Sequence, residues 1–290
     1  MRTIDLAYVG RGLHEELVAY IADQEDFYAE EGVHVALRDG VAWDEERLRK
    51  GATIGLGRAL LSRLTSGIPW VALSVNTHRP LFWFLARPGL TSLADLAGRR
   101  LAVHAPHTAP GCFARIVLRQ AGLDPDRDVD CVVRHPGDYG MDLRQLRDGT
   151  IDAAYVGSTL APEAIAAEYG WHVLAWVGDH FRIPTVGVAV DPTHVDPDDP
   201  AVQAVVRAHR RALRVIHDDP DTAIGHLRTF LGRHTLDEAR AHYKTFIAPY
   251  FTTDGQADLA AGAAAITAVA TELGVPETIA AAEFYRTTAN

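Results

Sequence analysis

Leu81-Phe82-Trp83-Phe84-Leu85-Ala86-Arg87-Pro88-Gly89 divides the chain in two. Its first six residues are apolar at successive positions, so a strand built from them has both faces covered, and Pro88-Gly89 then ends it. Before this stretch, the pattern predicts a strand over 4–8 and a helix over 13–30 whose Leu17, Val18, Ile21 and Phe27 share a face. Gly32 stops that helix ahead of a strand over 33–37. A short helix over 44–50, a strand over 53–56, a helix over 58–64 and a strongly apolar strand over 69–75 follow. After Gly89 the rhythm restarts, with helices over 93–96, 108–121, 139–147 and 160–169 between strands over 100–104, 129–133, 151–156 and 172–177. Strands alternating with helices mean βαβ units and a mostly parallel sheet in each half.

The remainder has a different character. Ile183-Pro184-Thr185-Val186-Gly187-Val188-Ala189-Val190 reads as one more strand, stopped by Asp191-Pro192, and helices are expected over 198–217, 220–230, 236–246 and 254–273, with a last piece from Pro276. Asp219-Pro220 and Thr235 with Glu238 are helix-start signals. This tail is too apolar for a linker and is expected to pack on the first lobe. Lobe I then comprises 1–87 and 185–290 and lobe II 88–184, with two crossing strands near 86–90 and 180–186. There is a weak internal echo, in which Arg49-Lys50-Gly51-Ala52-Thr53-Ile54-Gly55-Leu56-Gly57 parallels Arg147-Asp148-Gly149-Thr150-Ile151-Asp152-Ala153-Ala154-Tyr155-Val156-Gly157. A repeat and two independent uses of ordinary αβ grammar both account for it, and either way each half presents a strand opening into a helix start.

Composition narrows the function. The chain has 290 residues, 48% of them apolar and 23% charged, as a globular protein requires. With 28 basic against 38 acidic residues, a net charge of -10 and no basic run of five, a nucleic-acid partner is not expected. No apolar run approaches the roughly eighteen residues of a membrane span. Met1-Arg2-Thr3 leads directly into an apolar strand without a basic, then apolar, then small-residue leader. A cytoplasmic location is therefore expected for a full-length chain, and a periplasmic or extracellular one for a trimmed chain. Cys112 and Cys131 are expected to be reduced thiols.

In an open α/β sheet a ligand sits at the carboxyl ends of the strands, where helix starts offer free N–H donors. The loops at those ends are rich in Gly, Arg, His and hydroxyls although the chain is acidic. Gly10 and Gly12 flank Arg11, whose planar fork suits a carboxylate, sulfonate or phosphate; a solvated arginine in a tight turn is the plain alternative. His14, Arg58, Asn76, His78, Tyr139, Tyr155, Ser158 and His180 stand at similar addresses. Thr108 reads as the N-cap of a helix whose first amides, from Ala109 on, would face the cleft. His14, His78 and His104 are the acid–base candidates if the protein is an enzyme. No metal-ligand spacing is visible, and neither a metal nor a cofactor is expected. Cys112, in the first turn of the Thr108 helix, is either an activated thiol or an inert core residue.

Several segments resemble the solute-binding-protein superfamily of the nitrate, sulfonate and taurine type, which also includes the cytoplasmic enzyme that makes the thiamin pyrimidine. They are Phe27-Tyr28-Ala29-Glu30-Glu31-Gly32-Val33-His34-Val35, Leu93-Ala94-Asp95-Leu96-Ala97-Gly98-Arg99-Arg100-Leu101-Ala102-Val103, Leu118-Arg119-Gln120-Ala121-Gly122-Leu123 and Gly149-Thr150-Ile151-Asp152-Ala153-Ala154. The resemblance implies a two-lobed type II periplasmic-binding-protein fold with two crossover strands and a helical C-terminal segment. It also implies capture of a small anionic or zwitterionic ligand between the lobes, with a transporter permease as partner in exported members. Two departures stand out. The cysteine cluster associated with iron in the yeast-type pyrimidine synthase is reduced to Gly111-Cys112-Phe113, and the early nucleophilic cysteine of the sulfinate desulfinases has no counterpart near Arg11 and His14. A binding protein for a sulfonate, carboxylate or heterocycle is thus the first expectation. An enzyme acting on a small aromatic or heterocyclic substrate by decarboxylation, C–S cleavage or ring rearrangement is the second.

Overall fold

The computed structural model describes residues 1–8, 12–134 and 139–287. The strands are β1 (Arg2–Tyr8), β2 (Val33–Asp39), β3 (Ala52–Gly55), β4 (Val71–Thr77), β5 (Phe82–Ala86), β6 (Arg100–Val103), β7 (Asp130–Val133), β8 (Ala153–Gly157), β9 (His172–Trp176) and β10 (Thr185–Val190). The helices between and after them are α1 (Leu13–Gln24), α2 (Phe27–Glu30), α3 (Glu45–Arg49), α4 (Arg58–Ser66), α5 (Ala109–Gln120), α6 (Tyr139–Asp148), α7 (Pro162–Tyr169) and α8 (Val177–His180). The tail adds α9 (Pro200–Asp218), α10 (Pro220–Leu231), α11 (Leu236–His242), α12 (Leu259–Leu273) and α13 (Ala281–Phe284).

Two five-stranded sheets carry the lobes, in the orders β2-β1-β3-β10-β4 and β7-β6-β8-β5-β9. Each is parallel on one side, through β1–β2 and β1–β3 or through β6–β7 and β6–β8, and antiparallel around one inserted strand, β10 or β5. This is the two-lobed type II architecture with a helical tail.

The strand pairing moves the lobe boundary. The sequence places residue 87 at the end of lobe I, yet β5 pairs with β8 from Phe82↔Gly157 to Ala86↔Ala153 and with β9 on its other side, so it is central to the second sheet. The unbroken apolar run is the reason, because an inserted central strand is covered on both faces. The chain therefore crosses between lobes over 78–81 and returns over 181–184, and the two crossings are joined where Ile183 N–H donates to the His78 carbonyl at 3.0 Å.

The tail also departs from expectation, since it touches both lobes. α12 is held to lobe I where Tyr285 bridges Ala72 and Arg286 N–H donates to the Ala72 carbonyl at 2.8 Å. Gly262 makes room for the Tyr285 ring, which a β-carbon there would meet at 2.7 Å. The same helix packs on α5 of lobe II. After α11, a π-helical turn (Tyr243–Ile247) sets Phe246 against Trp83 and Trp176 of the second sheet, at ring distances of 5.1 and 5.0 Å. Apolar layers consequently run through both lobes: one joins Leu17, Ile21 and Ile216 to Trp83 and Trp176, the other joins Leu60 and Ile266 to Phe84 and Phe113.

Candidate functional site

The first turn of α1 supplies one wall. Gly12 is its N-cap, and a β-carbon there would lie 3.1 Å from both the His14 ring and the Glu15 carboxylate, so glycine leaves space for the two side chains. His14 is fully buried, and its Nδ1 accepts from Leu81 N–H at 3.4 Å. An imidazole accepting at Nδ1 carries its proton on Nε2, and burial lowers the His14 pKa to about 3, so the ring is a neutral donor at Nε2. That nitrogen has no hydrogen-bond partner; the nearest carboxylate oxygen, Glu15 Oε1, is 4.0 Å away. Glu15 accepts from Leu56 N–H at 2.8 Å, yet burial outweighs this bond and, with Glu16 adding to it, pushes the carboxyl well above the usual range. Asn76 is a buttress here: its buried amide donates to the carbonyls of His14 and Glu15 at 3.3 and 2.9 Å.

The second sheet supplies the facing wall. Phe82 lies 5.1 Å from the His14 ring, stacks on Tyr155 at 4.9 Å with a 9° tilt, and meets His104 edge-on at 5.9 Å. Tyr155 is buried, its hydroxyl is without a hydrogen-bond partner, and burial raises its pKa well above 10. Arg134 donates to the Tyr155 carbonyl at 2.6 Å, approaches His104 Nε2 at 3.2 Å and pairs with Asp142. Because a guanidinium only donates, His104 Nε2 accepts; burial first and Arg134 second bring the His104 pKa down to about 3. Ser158 follows Gly157, the partner of Phe82. It is buried, its N–H donates to the Leu81 carbonyl at 3.3 Å, and its hydroxyl has no partner.

The start of α5 completes the arrangement. Thr108 caps the helix as expected, accepting from Gly111 N–H at 3.3 Å and donating to the Ala105 carbonyl at 2.7 Å. Fewer free amides face the cleft than the sequence suggests, because Pro110 has no N–H and that of Gly111 is given to Thr108. Ala109 and Phe113 abut Gly57 of lobe I, where a β-carbon would stand 3.5 and 3.1 Å from them. The helix starts of the two halves thus meet across the lobes.

The other candidates lie elsewhere. Arg58 turns its guanidinium to Glu45 at 3.4 Å. His78 sits in the first crossing, where its Nε2 accepts from Asp258 N–H at 2.8 Å and fixes the start of α12; burial lowers its pKa. His180 is exposed at the end of α8. Gly10 and Arg11 lie outside the described residues, as does the side chain of Tyr139. Cys112 is buried with its thiol pushed up to about 12, chiefly by burial, which answers the question of activation with an inert thiol. Both cysteines are free.

The family description "NMT1/THI5 like" matches residues 15–223. The chain belongs to the NMT1/THI5-like family. Among solved structures, it is similar to the periplasmic aliphatic sulphonate binding protein SsuA of Escherichia coli, at 15% identity and a TM-score of 0.77 over 99% of this chain and 93% of that one. The alkanesulfonate-binding protein SsuA of Xanthomonas axonopodis pv. citri, bound to MOPS, gives 15% identity and a TM-score of 0.75 over 99% and 98%. The desulfurization enzyme DSZB gives 16% identity and a TM-score of 0.74 over 99% and 97%. The comparison with curated proteins gives no match. At these identities the likeness establishes the periplasmic-binding-protein fold.

Within this NMT1/THI5-like chain, the candidate site gathers the Phe82 and Tyr155 rings with neutral polar groups, and among the described residues its buried cation, Arg134, is paired with Asp142. Glu15 and Phe82 are the residues that sequence reasoning passes over. Glu15 looks like an ordinary first-turn acid, and Phe82 like core. Among the described residues no group of three or more His, Cys, Asp or Glu could hold a metal ion, and no helix is long and apolar enough to cross a membrane.

Proposed function

We propose that the protein is a solute-binding protein that captures a small organic molecule between its lobes. The guest's flat or apolar body lies against Phe82, and its acceptor-rich head, a sulfonate, a carboxylate or a heterocyclic edge, is received by neutral donors. One observation carries this reading: Phe82 contacts both the His14 and the Tyr155 rings, and His14 Nε2 and Tyr155 OH are buried without partners, as is Ser158 Oγ just beyond the strand that pairs with Phe82. Burying a polar atom without a partner costs about 1–3 kcal/mol, and a guest that supplies acceptors recovers that cost. Neutral donors suit an anion that disperses its charge over several oxygens, as they suit a zwitterion. A membrane permease is the partner where such a protein is exported.

A second reading has its own support. His14 and Glu15, 4.0 Å apart, are driven by burial in opposite directions, the imidazole down to about 3 and the carboxyl well above its usual range, and opposed shifts on neighbouring groups are a pattern of acid–base sites. Native mass spectrometry of freshly purified protein, followed by release and identification of the guest, separates the two. A small organic molecule that is recovered unchanged after incubation is the expected result, and conversion of the guest establishes the enzyme instead. If no mass is retained, and a panel of sulfonates, carboxylates and heterocycles leaves the melting temperature unmoved, neither reading stands.

A further inference from the structure

α5 begins at the site and continues into a charge cluster that joins the two lobes. Glu272, in the last turn of α12, has a side chain only 4% exposed, and its carboxylate is shared: Oε1 accepts from Arg115 Nε at 2.6 Å and Oε2 from Arg119 Nε at 2.8 Å. The two arginines stand one turn apart on α5. An acid at a helix C-terminus works against the helix dipole, so the position of Glu272 is set by these partners and not by its own helix.

The two sides of the cluster are built differently. Lobe II fixes its arginines by itself: Asp126 accepts from both terminal nitrogens of Arg115, at 2.8 and 2.5 Å, and Asp124 accepts from Arg119 at 3.1 Å. α12, by contrast, rides on lobe I through Tyr285 and Ala72. Separating the lobes here parts the apolar contact of α12 with α5, withdraws one carboxylate and leaves each guanidinium with an aspartate. No cation is stranded in the interior, so the contact can open and reform.

We propose that Glu272 is a positioning residue for the guest site: it latches α5, and with it the Thr108–Ala109 turn, onto lobe I, and so sets how long a guest is retained. The role rests on the binding reading above, but the latch itself is measurable without any guest. Glu272→Gln keeps the shape and removes the charge. In the guest-free protein, small-angle scattering is expected to show a larger radius of gyration for E272Q. Amide exchange is expected to quicken in α5 and the last turn of α12 while β1 and β4 keep their protection. Added salt should change the parent protein little, because a carboxylate only 4% exposed is weakly screened. With MOPS as the probe, dissociation should be about tenfold faster in E272Q and association nearly unaltered, as expected for loss of charge-assisted hydrogen bonds formed only in the closed state. Glu272→Asp, too short to reach both arginines, should fall between the two. If E272Q loses its cooperative melt, Arg119→Gln removes one contact from the more exposed arginine and gives the same readouts at smaller size. Unchanged scattering and exchange would overturn the latch. A latch response in protein that binds no MOPS would leave the latch standing and remove the sulfonate reading of the site.

Discussion

His14, Tyr155 and Ser158 share a cost that folding alone does not recover. Each keeps a buried polar atom that no other residue satisfies, where a purely structural core would place a hydrocarbon. Tyr155→Phe tests this directly. Removing an unpartnered hydroxyl is expected to shift the unfolding free energy by less than about 1 kcal/mol, in either direction, while guest affinity falls roughly tenfold. Chemical denaturation together with calorimetry checks both halves, and a large loss of stability with intact affinity would make the hydroxyl structural. Of these residues the sequence marks the addresses, since His14 and Ser158 each follow a strand of the βα rhythm and Tyr155 stands near the end of one. It does not mark the tautomer of His14, which depends on the Leu81 amide contributed by a distant crossing segment. Nor does it mark His78 as a helix anchor, because its partner at Asp258 lies 180 residues further on.

At the scale of elements, the lobes meet where α4 and α5 begin. Gly57 has a φ of 163°, an extended conformation open to any residue, so its need for glycine is one of space. A β-carbon there would stand 3.1 Å from Phe113 Cζ, and Phe113 is fully buried against Phe181 with rings 5.0 Å apart, so it has little room to yield. Gly57→Ala is therefore expected to wedge the lobes apart at an overpacking cost of about 1–3 kcal/mol, borne by closure. Scattering should report a larger radius and calorimetry a weaker guest, with the melting temperature nearly constant. A lowered melting temperature at unchanged radius would place the strain inside a lobe instead. The echo between residues 49–57 and 147–157 foreshadows paired helix starts. That α4 actually abuts α5, and not the helix of its own echo, follows from the way the crossings orient the lobes.

For the whole molecule, burial of titratable groups sets the response to pH. His14, His104, His209 and His242 all have pKa values lowered to about 3, mainly by burial, whereas an unfolded histidine titrates near 6.5. As pH falls below about 6.5 the unfolded chain takes up these protons first, so stability falls by up to about 1.4 kcal/mol per pH unit for each group. Glu15 and Glu163, raised by burial, act in the opposite sense above the ordinary glutamate value of 4.5, but they are two against four. The urea midpoint is thus expected to be flat near neutrality and to drop between pH 6.5 and 4.5. A midpoint rising with acidity would show that the histidines are not buried as described. The sequence by itself determined the class of this protein: its strand–helix rhythm, the two sheets, the helical tail and the polar strand exits, because periodicity and punctuation are local properties of the chain. The tertiary structure alone decided that β5 enters the second sheet, that the tail grips both lobes, and which buried polar atoms are left without a partner. Those outcomes depend on contacts between residues far apart in the chain, where desolvation and packing are settled by whichever neighbours the fold brings together.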